Sequence, residues 1–195
     1  MTATPARPAS WTVTPEAYDA PVAAALWRAY YTEVSDRWYL RHDGRRTDPR
    51  ELERGIAAET GADLAPPGGV LLVARYGGEA VGTAGVRLLE AGTAELKRVF
   101  LRADARGRGG APVLLAAAED AARALGARRI VLDTRTDLVE ARALYARHGY
   151  AETAPYEERP YAEHWYGKDL VPTPPAGGAW PRRAGAPTPS RTAPR

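Results

Sequence analysis

The sequence has no cysteine, which removes disulfides, thiolate metal sites and a cysteine acyl-enzyme together. Serine is scarce too: only Ser10, Ser35 and Ser190 occur, none in a G-x-S-x-G setting, so a serine hydrolase of the nucleophile-elbow type is not indicated. His42, His148 and His164 lack the H-x-x-x-H spacing of a helix-borne zinc site, and no metal is expected. The longest apolar runs, 21–27 and 111–118, fall well short of the roughly 20 residues of a membrane span. The N-terminus carries no apolar signal segment, so the expectation is a cytoplasmic protein without a membrane partner. Its chemistry must come from oxygen, nitrogen or a bound cofactor.

Acidic residues are missing from one stretch. Val171 to Arg195 contains Arg182, Arg183, Arg191 and Arg195 but no Asp or Glu. The formal net charge of +3 therefore leaves residues 1–170 with 23 basic and 24 acidic side chains, a balance of −1. Four dispersed arginines make at most a weak, salt-sensitive contact, so no specific nucleic-acid partner is expected. The same stretch holds seven prolines and little bulky apolar surface beyond Val171 and Trp180, and reads as a disordered tail. Residues 1–10 read as a shorter flexible segment. Residues 11–170 then form one domain, consistent with a chain that is 45% hydrophobic and 26% charged.

Within that domain the apolar period changes repeatedly. Trp11 to Val13 predicts a short strand, and Pro15 to Tyr31 a helix with Pro15 in its first turn. Thr47 or Asp48 caps a second helix that ends by Gly61. Strands are predicted at 70–76, 80–89 and 93–101, the first two joined by the tight turn Gly77-Gly78. A helix at 111–125, a strand at 129–133, a helix at 138–148 and strands at 151–155 and 164–169 follow. The class is α/β, with a central mixed, mostly antiparallel sheet flanked by helices.

The most informative stretch is Val99 to Pro112. A strand enters the turn Arg106-Gly107-Arg108-Gly109-Gly110 and a helix starts at once with Ala111, so free amides and the positive end of a helix dipole converge. That is an anion site. A P-loop would need Gly-Lys-Ser/Thr where Gly110-Ala111-Pro112 stands, and a dinucleotide fingerprint would need glycine at Pro112. A solvated loop with arginines for solubility is the plainer alternative.

Arg106-x-x-Gly109-x-Ala111 resembles the Q/R-x-x-G-x-G/A motif of the GCN5-related N-acetyltransferase superfamily, which cradles the pyrophosphate of acetyl-CoA. The resemblance extends from Ala94–Leu101 through Ile130–Thr134 and Glu140–Tyr150 to Lys168-Asp169-Leu170. Gly110 departs from the pattern by replacing an aliphatic residue, which should loosen the turn. Leu138 stands where many members carry an asparagine that touches the pantetheine arm. The resemblance implies the superfamily's acyl-CoA N-acyltransferase fold, acetyl-CoA as co-substrate, and direct transfer of acetyl to a primary amine of a small molecule or peptide. It implies cofactor contacts from Val99, Phe100 and Leu101 and from Arg106 to Ala111, with the Val99 amide as oxyanion donor.

Two side chains are implied in proton transfer. Tyr145 matches the motif tyrosine that protonates the coenzyme A thiolate, although Leu138, Ala141, Leu144 and Tyr145 also share a helical face as core residues would. Glu95 lies eleven residues before Arg106, where the histone-acetylating branch carries its base. Alternation puts Glu95, Lys97 and Val99 on one strand face, so Glu95 is either the base, directly or through water, or one arm of a salt bridge with Lys97 or Arg98. The acceptor side is read from Glu33 and Arg37 after the first helix, and from Tyr156, Tyr161 and His164 between the last strands. Carboxylates and aromatic rings there suit a cationic amine, and His164 is an alternative base. A silent acyl-CoA sensor is the competing function, and either a monomer or a homodimer is compatible with the sequence.

Overall fold

The computed structural model describes residues 9–90 and 92–170. Both terminal segments predicted to be disordered lie outside these, apart from Ala9 and Ser10. In chain order the elements are β1 (Trp11–Glu16), α1 (Pro21–Asp43), α2 (Pro49–Ala58), β2 (Gly69–Tyr76), β3 (Glu79–Glu90), β4 (Thr93–Leu101), α3 (Gly110–Ala124), β5 (Arg129–Thr134), α4 (Val139–Arg147), β6 (Ala151–Glu152) and β7 (His164–Asp169). No helix among the described residues is long and apolar enough to cross a membrane.

The strands form one sheet in the order β1-β2-β3-β4-β5-β7-β6. Every neighbouring pair is antiparallel except β4 with β5. Tyr76 pairs with Glu79 across Gly77 and Gly78, whose φ values of 60° and 93° suit the two-residue turn that the glycine pair predicts. Alternation along β2 sends Leu72 and Ala74 to one face and Leu71 and Val73 to the other. The first face packs on Leu114, Leu115 and Ala118 of α3 and on Tyr145 of α4; the second packs on Ala23 and Leu26 of α1. The sheet is thus buried between two helical layers.

The first helix differs from its prediction at both ends. Pro15 belongs to β1, opposite Leu72, because β1 is an edge strand where a missing amide costs no ladder bond. Pro21 takes the first helical turn instead, and the helix meets no glycine or proline until Gly44, which ends it at φ 66°. Thr32 to Tyr39, expected beyond the helix, therefore lie on it. The second helix starts as predicted, with Asp48 accepting from the Arg50 and Glu51 amides at 2.9 and 3.2 Å. Strand β6 is only two residues long, shorter than predicted.

Candidate active site

The parallel pair β4–β5 holds only from Thr93 to Glu95 against Arg129 to Val131. Beyond that point the strands part, and a gap of about 440 Å³ opens between them. Leu96 to Leu101 form one side, Asp133 to Arg135 the other, and Tyr30 of α1 and Tyr145 of α4 stand on opposite faces of the sheet. Val99, Phe100 and Leu101 all line it.

A bulge in β4 shapes this wall. Lys97 pairs with Gly85 and Phe100 with Thr83, so three steps of β4 face two of β3, and Arg98 takes φ 55°. Arg98 is 8% exposed; its guanidinium lies 3.8 Å over the Trp27 ring and donates to the Glu59 carbonyl at 3.1 Å. These contacts hold a backbone conformation that non-glycine residues rarely adopt. The bulge also corrects the alternation: Val99 packs with the α3-side core, whereas Lys97 reaches Asp63 at 2.9 Å on the other side.

The gap continues to the glycine turn, since Arg106 and Ala111 also line it. Gly107 and Gly109 sit at φ 75° and 78°, with nothing within 4 Å of where a Cβ would be. No side chain caps α3, so the amides of Gly110, Ala111 and Val113 face outward beside this open backbone. Gly110 does not loosen the turn, contrary to expectation. A Cβ there would lie 2.3 Å from the Trp11 ring, whose Nε1 donates to the Arg108 carbonyl at 2.8 Å. The indole occupies the space that an aliphatic residue would fill. Arg106 donates through Nε to the Leu101 carbonyl at 2.8 Å and through Nη2 to both Glu33 oxygens at 2.6 and 2.7 Å. Arg108 lies over the Tyr76 ring at 5.3 Å. An uncapped helix start, an open two-glycine backbone and two arginines suit a pyrophosphate.

Tyr145 is buried against Tyr150 and Tyr166, yet it borders the gap, and its hydroxyl bonds to no other described residue. Burial, with smaller contributions from Tyr30 and Asp133, pushes its phenol well above the usual range, so it stays protonated. Tyr30, which the sequence reading missed, is likewise raised, to about 12, chiefly by burial.

Glu95 is placed differently from the expectation of a free base. Its side chain is 1% exposed and does not line the gap. Arg87 Nε donates to it at 2.5 Å, Arg159 pairs with its other oxygen, and the Tyr156 hydroxyl stands 3.1 Å away. Burial raises the Glu95 carboxyl, but hydrogen bonds from Arg159 and Arg87 outweigh burial and hold it below the ordinary range. The salt-bridge alternative therefore describes its surroundings, with Arg87 and Arg159 in place of Lys97 and Arg98.

Asp133, unlike Glu95, does border the gap, as Glu33 and Glu140 also do. It lies 3.2 Å from the Tyr156 hydroxyl and 3.1 Å from Arg159. Burial pushes its carboxyl up; Arg159 opposes that and the Glu95 charge adds to it. Two neighbouring carboxylates with acidities moved in opposite directions are the pattern of a divided acid–base pair. The available signal was one acidic residue closing the apolar run Ile130-Val131-Leu132.

The remaining acceptor residues separate. Tyr161 and Glu33 border the gap, Glu33 also pairing with Arg106, and Tyr156 bridges the two carboxylates. Arg37 is tied to Glu140 and Asp137, a clasp between α1 and the start of α4, and it does not line the gap. His164 lies off the gap as well, with Nε2 3.0 Å from the Thr136 hydroxyl. Among the described residues no cluster of His, Cys, Asp or Glu could hold a metal ion.

The acetyltransferase (GNAT) family model matches residues 22–150. The chain belongs to that family. An IAA acetyltransferase of Azospirillum brasilense is 37% identical over 94 residues, 48% of this chain and 61% of its own length. The chain spans about three fifths of the curated relatives it matches. A solved Klebsiella pneumoniae structure described as an acyl-CoA N-acyltransferase is 29% identical, with a TM-score of 0.60 over 83% of this chain and 98% of that one. A GNAT acetyltransferase of Elizabethkingia anophelis, solved with acetyl-CoA bound, shares the fold at 16% identity and a TM-score of 0.53, covering 82% of this chain and 98% of that one.

Proposed function

We propose that the protein transfers acetyl from acetyl-CoA directly to the primary amine of a small molecule or peptide. The observation that carries this reading is the continuity of the β4–β5 gap with the uncapped start of α3. Acetyl-CoA supplies an activated thioester. Gly107 to Ala111, with Arg106 and Arg108, hold its pyrophosphate, and the backbone of Val99 to Leu101 holds its arm, with the Val99 amide as donor to the developing oxyanion. The bond from nitrogen to the acetyl carbon forms as the carbon–sulfur bond breaks.

Two protons then need places. Tyr145, which burial keeps protonated at neutral pH, gives one to the departing thiolate. The amine proton passes to Asp133, directly or through water, because Asp133 borders the gap while Glu95 is enclosed by two arginines. Glu95 anchors Arg87 and Arg159 and keeps Asp133 basic through its charge.

The test is thiol release from acetyl-CoA by the full chain against a panel of amines. Release that depends on the amine, with an acetylated product, is the expected outcome. Saturable acetyl-CoA binding without release by any amine would replace this reading with a sensor.

A further inference from the structure

A second cavity of about 180 Å³ adjoins the gap and shares Val34, Arg135 and Tyr161 with it. Its other walls include the rings of Tyr31, Trp38 and Tyr39 and the carboxylate of Glu51. The rings are fixed in place. Tyr31 lies so close over α2 that a Cβ at Gly55 would be 2.0 Å from its hydroxyl oxygen. Trp38 stacks on His42 at 3.8 Å and meets Tyr161 edge-on at 4.8 Å. Tyr161 takes φ 71°, a conformation costly for a tyrosine and kept where the surroundings demand it, here at the boundary between the two spaces.

Two charged side chains border this cavity, and they are not equivalent. Arg135 is committed: its Nε and Nη2 donate to Asp137 at 2.8 and 2.9 Å, and Nη2 also reaches the Val34 carbonyl at 2.9 Å. Glu51 stands in no ion pair among the described residues. Its side chain accepts one hydrogen bond, from the Tyr39 hydroxyl. Arg45, over the Tyr39 ring at 4.6 Å, has Asp43 as its partner at 3.3 Å. A carboxylate with no ion pair among the described residues thus stands beside the rings of Tyr31 and Tyr39, while the Trp38 ring is faced by Arg135 at 5.3 Å. That combination attracts a desolvated ammonium group and repels a carboxylate.

We propose that this cavity seats a second cationic group of the acceptor, so that the substrate class is a diamine. One primary amine enters the gap and the far ammonium group, carried on an apolar spacer, rests among Tyr31, Trp38 and Tyr39 against Glu51. The inference rests on the acetyl-transfer reading above and gives it a substrate. The shared Val34 and Tyr161 walls provide the passage for the spacer, and the volume of about 180 Å³ accommodates an ammonium head.

The test compares α,ω-diaminoalkanes with n-alkylamines of matched length and with ω-amino acids, by thiol release from acetyl-CoA. The diamine of best length is expected to exceed its matched alkylamine in kcat/KM by about tenfold or more, with the ω-amino acid poorest. Glu51→Gln is expected to collapse that ratio toward unity, while Glu51→Asp retains part of it. Equal rates for diamines and alkylamines, or a ratio unchanged in Glu51→Gln, overturns the proposal. Calorimetric titration with the same diamine, without acetyl-CoA, is independent of turnover. Glu51-dependent binding without thiol release upholds the cation seat and removes the transferase reading; alkylamine turnover without diamine preference does the reverse.

Discussion

The Trp11 indole lies against Gly110, so that a Cβ on that glycine would sit 2.3 Å from the ring, and the indole N–H holds the Arg108 carbonyl at 2.8 Å. The first residue of the sheet thereby braces a turn almost a hundred positions later. Gly110→Ala is expected to weaken acetyl-CoA binding and to lower stability by about 1–3 kcal/mol, the usual range for overpacking. Trp11→Ala removes the brace and leaves a void at the same place. Acetyl-CoA titration and denaturant midpoints check both; a Gly110→Ala protein with unaltered affinity would detach the brace from the cofactor site.

Arg106 is partnered by Glu33, with the two side chains 41% and 37% exposed. The pair ties α1 to the turn that would receive a pyrophosphate, and the carboxylate competes with an incoming anion for the guanidinium. An exposed pair of this kind is worth about 0–1 kcal/mol. Glu33→Gln is therefore expected to tighten acetyl-CoA binding by up to about fivefold, and Arg106→Ala to weaken it. If Glu33→Gln weakens binding instead, the pair orients Arg106 for the ligand rather than competing with it.

The Tyr145 phenol borders the gap with its hydroxyl unbonded among the described residues. Tyr145→Phe keeps the packing against Tyr150 and Tyr166 and removes one proton. Turnover is expected to fall about tenfold or more, with little change in acetyl-CoA affinity. Tyr30→Phe, on the opposite helix, is the control. Unchanged turnover in Tyr145→Phe would leave that residue as core alone.

Much of this arrangement was legible because it is local. Gly77-Gly78 announces its hairpin, Asp48 its helix start, and Arg106 to Ala111 its anion site, each through conformations that a few adjacent residues impose. What escaped depends on partners far along the chain. The bulge at Arg98 arises from pairing with β3 and from Trp27 and Glu59 beneath the guanidinium, so alternation read from β4 alone put Val99 on the wrong face. Asp133 gains its importance where Arg159 and Tyr156 fold over it, contacts that no spacing encodes. Pro15 misled because only its place on an edge strand makes it harmless there.

Glu95 ties the protein's stability to pH. Its carboxyl titrates lower in the folded chain than in the unfolded one, so the stabilisation is present above the ordinary glutamate range and is lost as pH falls through the folded value. Glu95→Gln removes an acceptor shared by Arg87 and Arg159, and both arginines keep other partners in Asp63, Glu157 and Asp133. The expected loss at neutral pH is about 1–3 kcal/mol. Denaturant midpoints at neutral pH and below about pH 4 are the measurement, and the difference between wild type and variant should shrink in acid. A difference independent of pH would mean that the carboxyl is not held low.

Asp133 has the opposite sign. Its carboxyl is raised in the folded protein, so folding favours the protonated form, and stability falls as pH rises through the folded value. The charges that set this balance are Glu95 and Lys97 on β4 and Arg159 above, with the Tyr156 hydroxyl between the two carboxylates. At neutral pH the ionised carboxylate is thus a net cost to the fold. Asp133→Asn keeps the size and should melt at a higher temperature than wild type near pH 7, with the gain absent in acid. The same variant should lose turnover by about a hundredfold, because the amine proton has lost its acceptor. Weakly basic amines that arrive unprotonated should be less affected. A variant both less stable and uniformly slower across amines would show that Asp133 serves Arg159 as an anchor and that another group takes the proton.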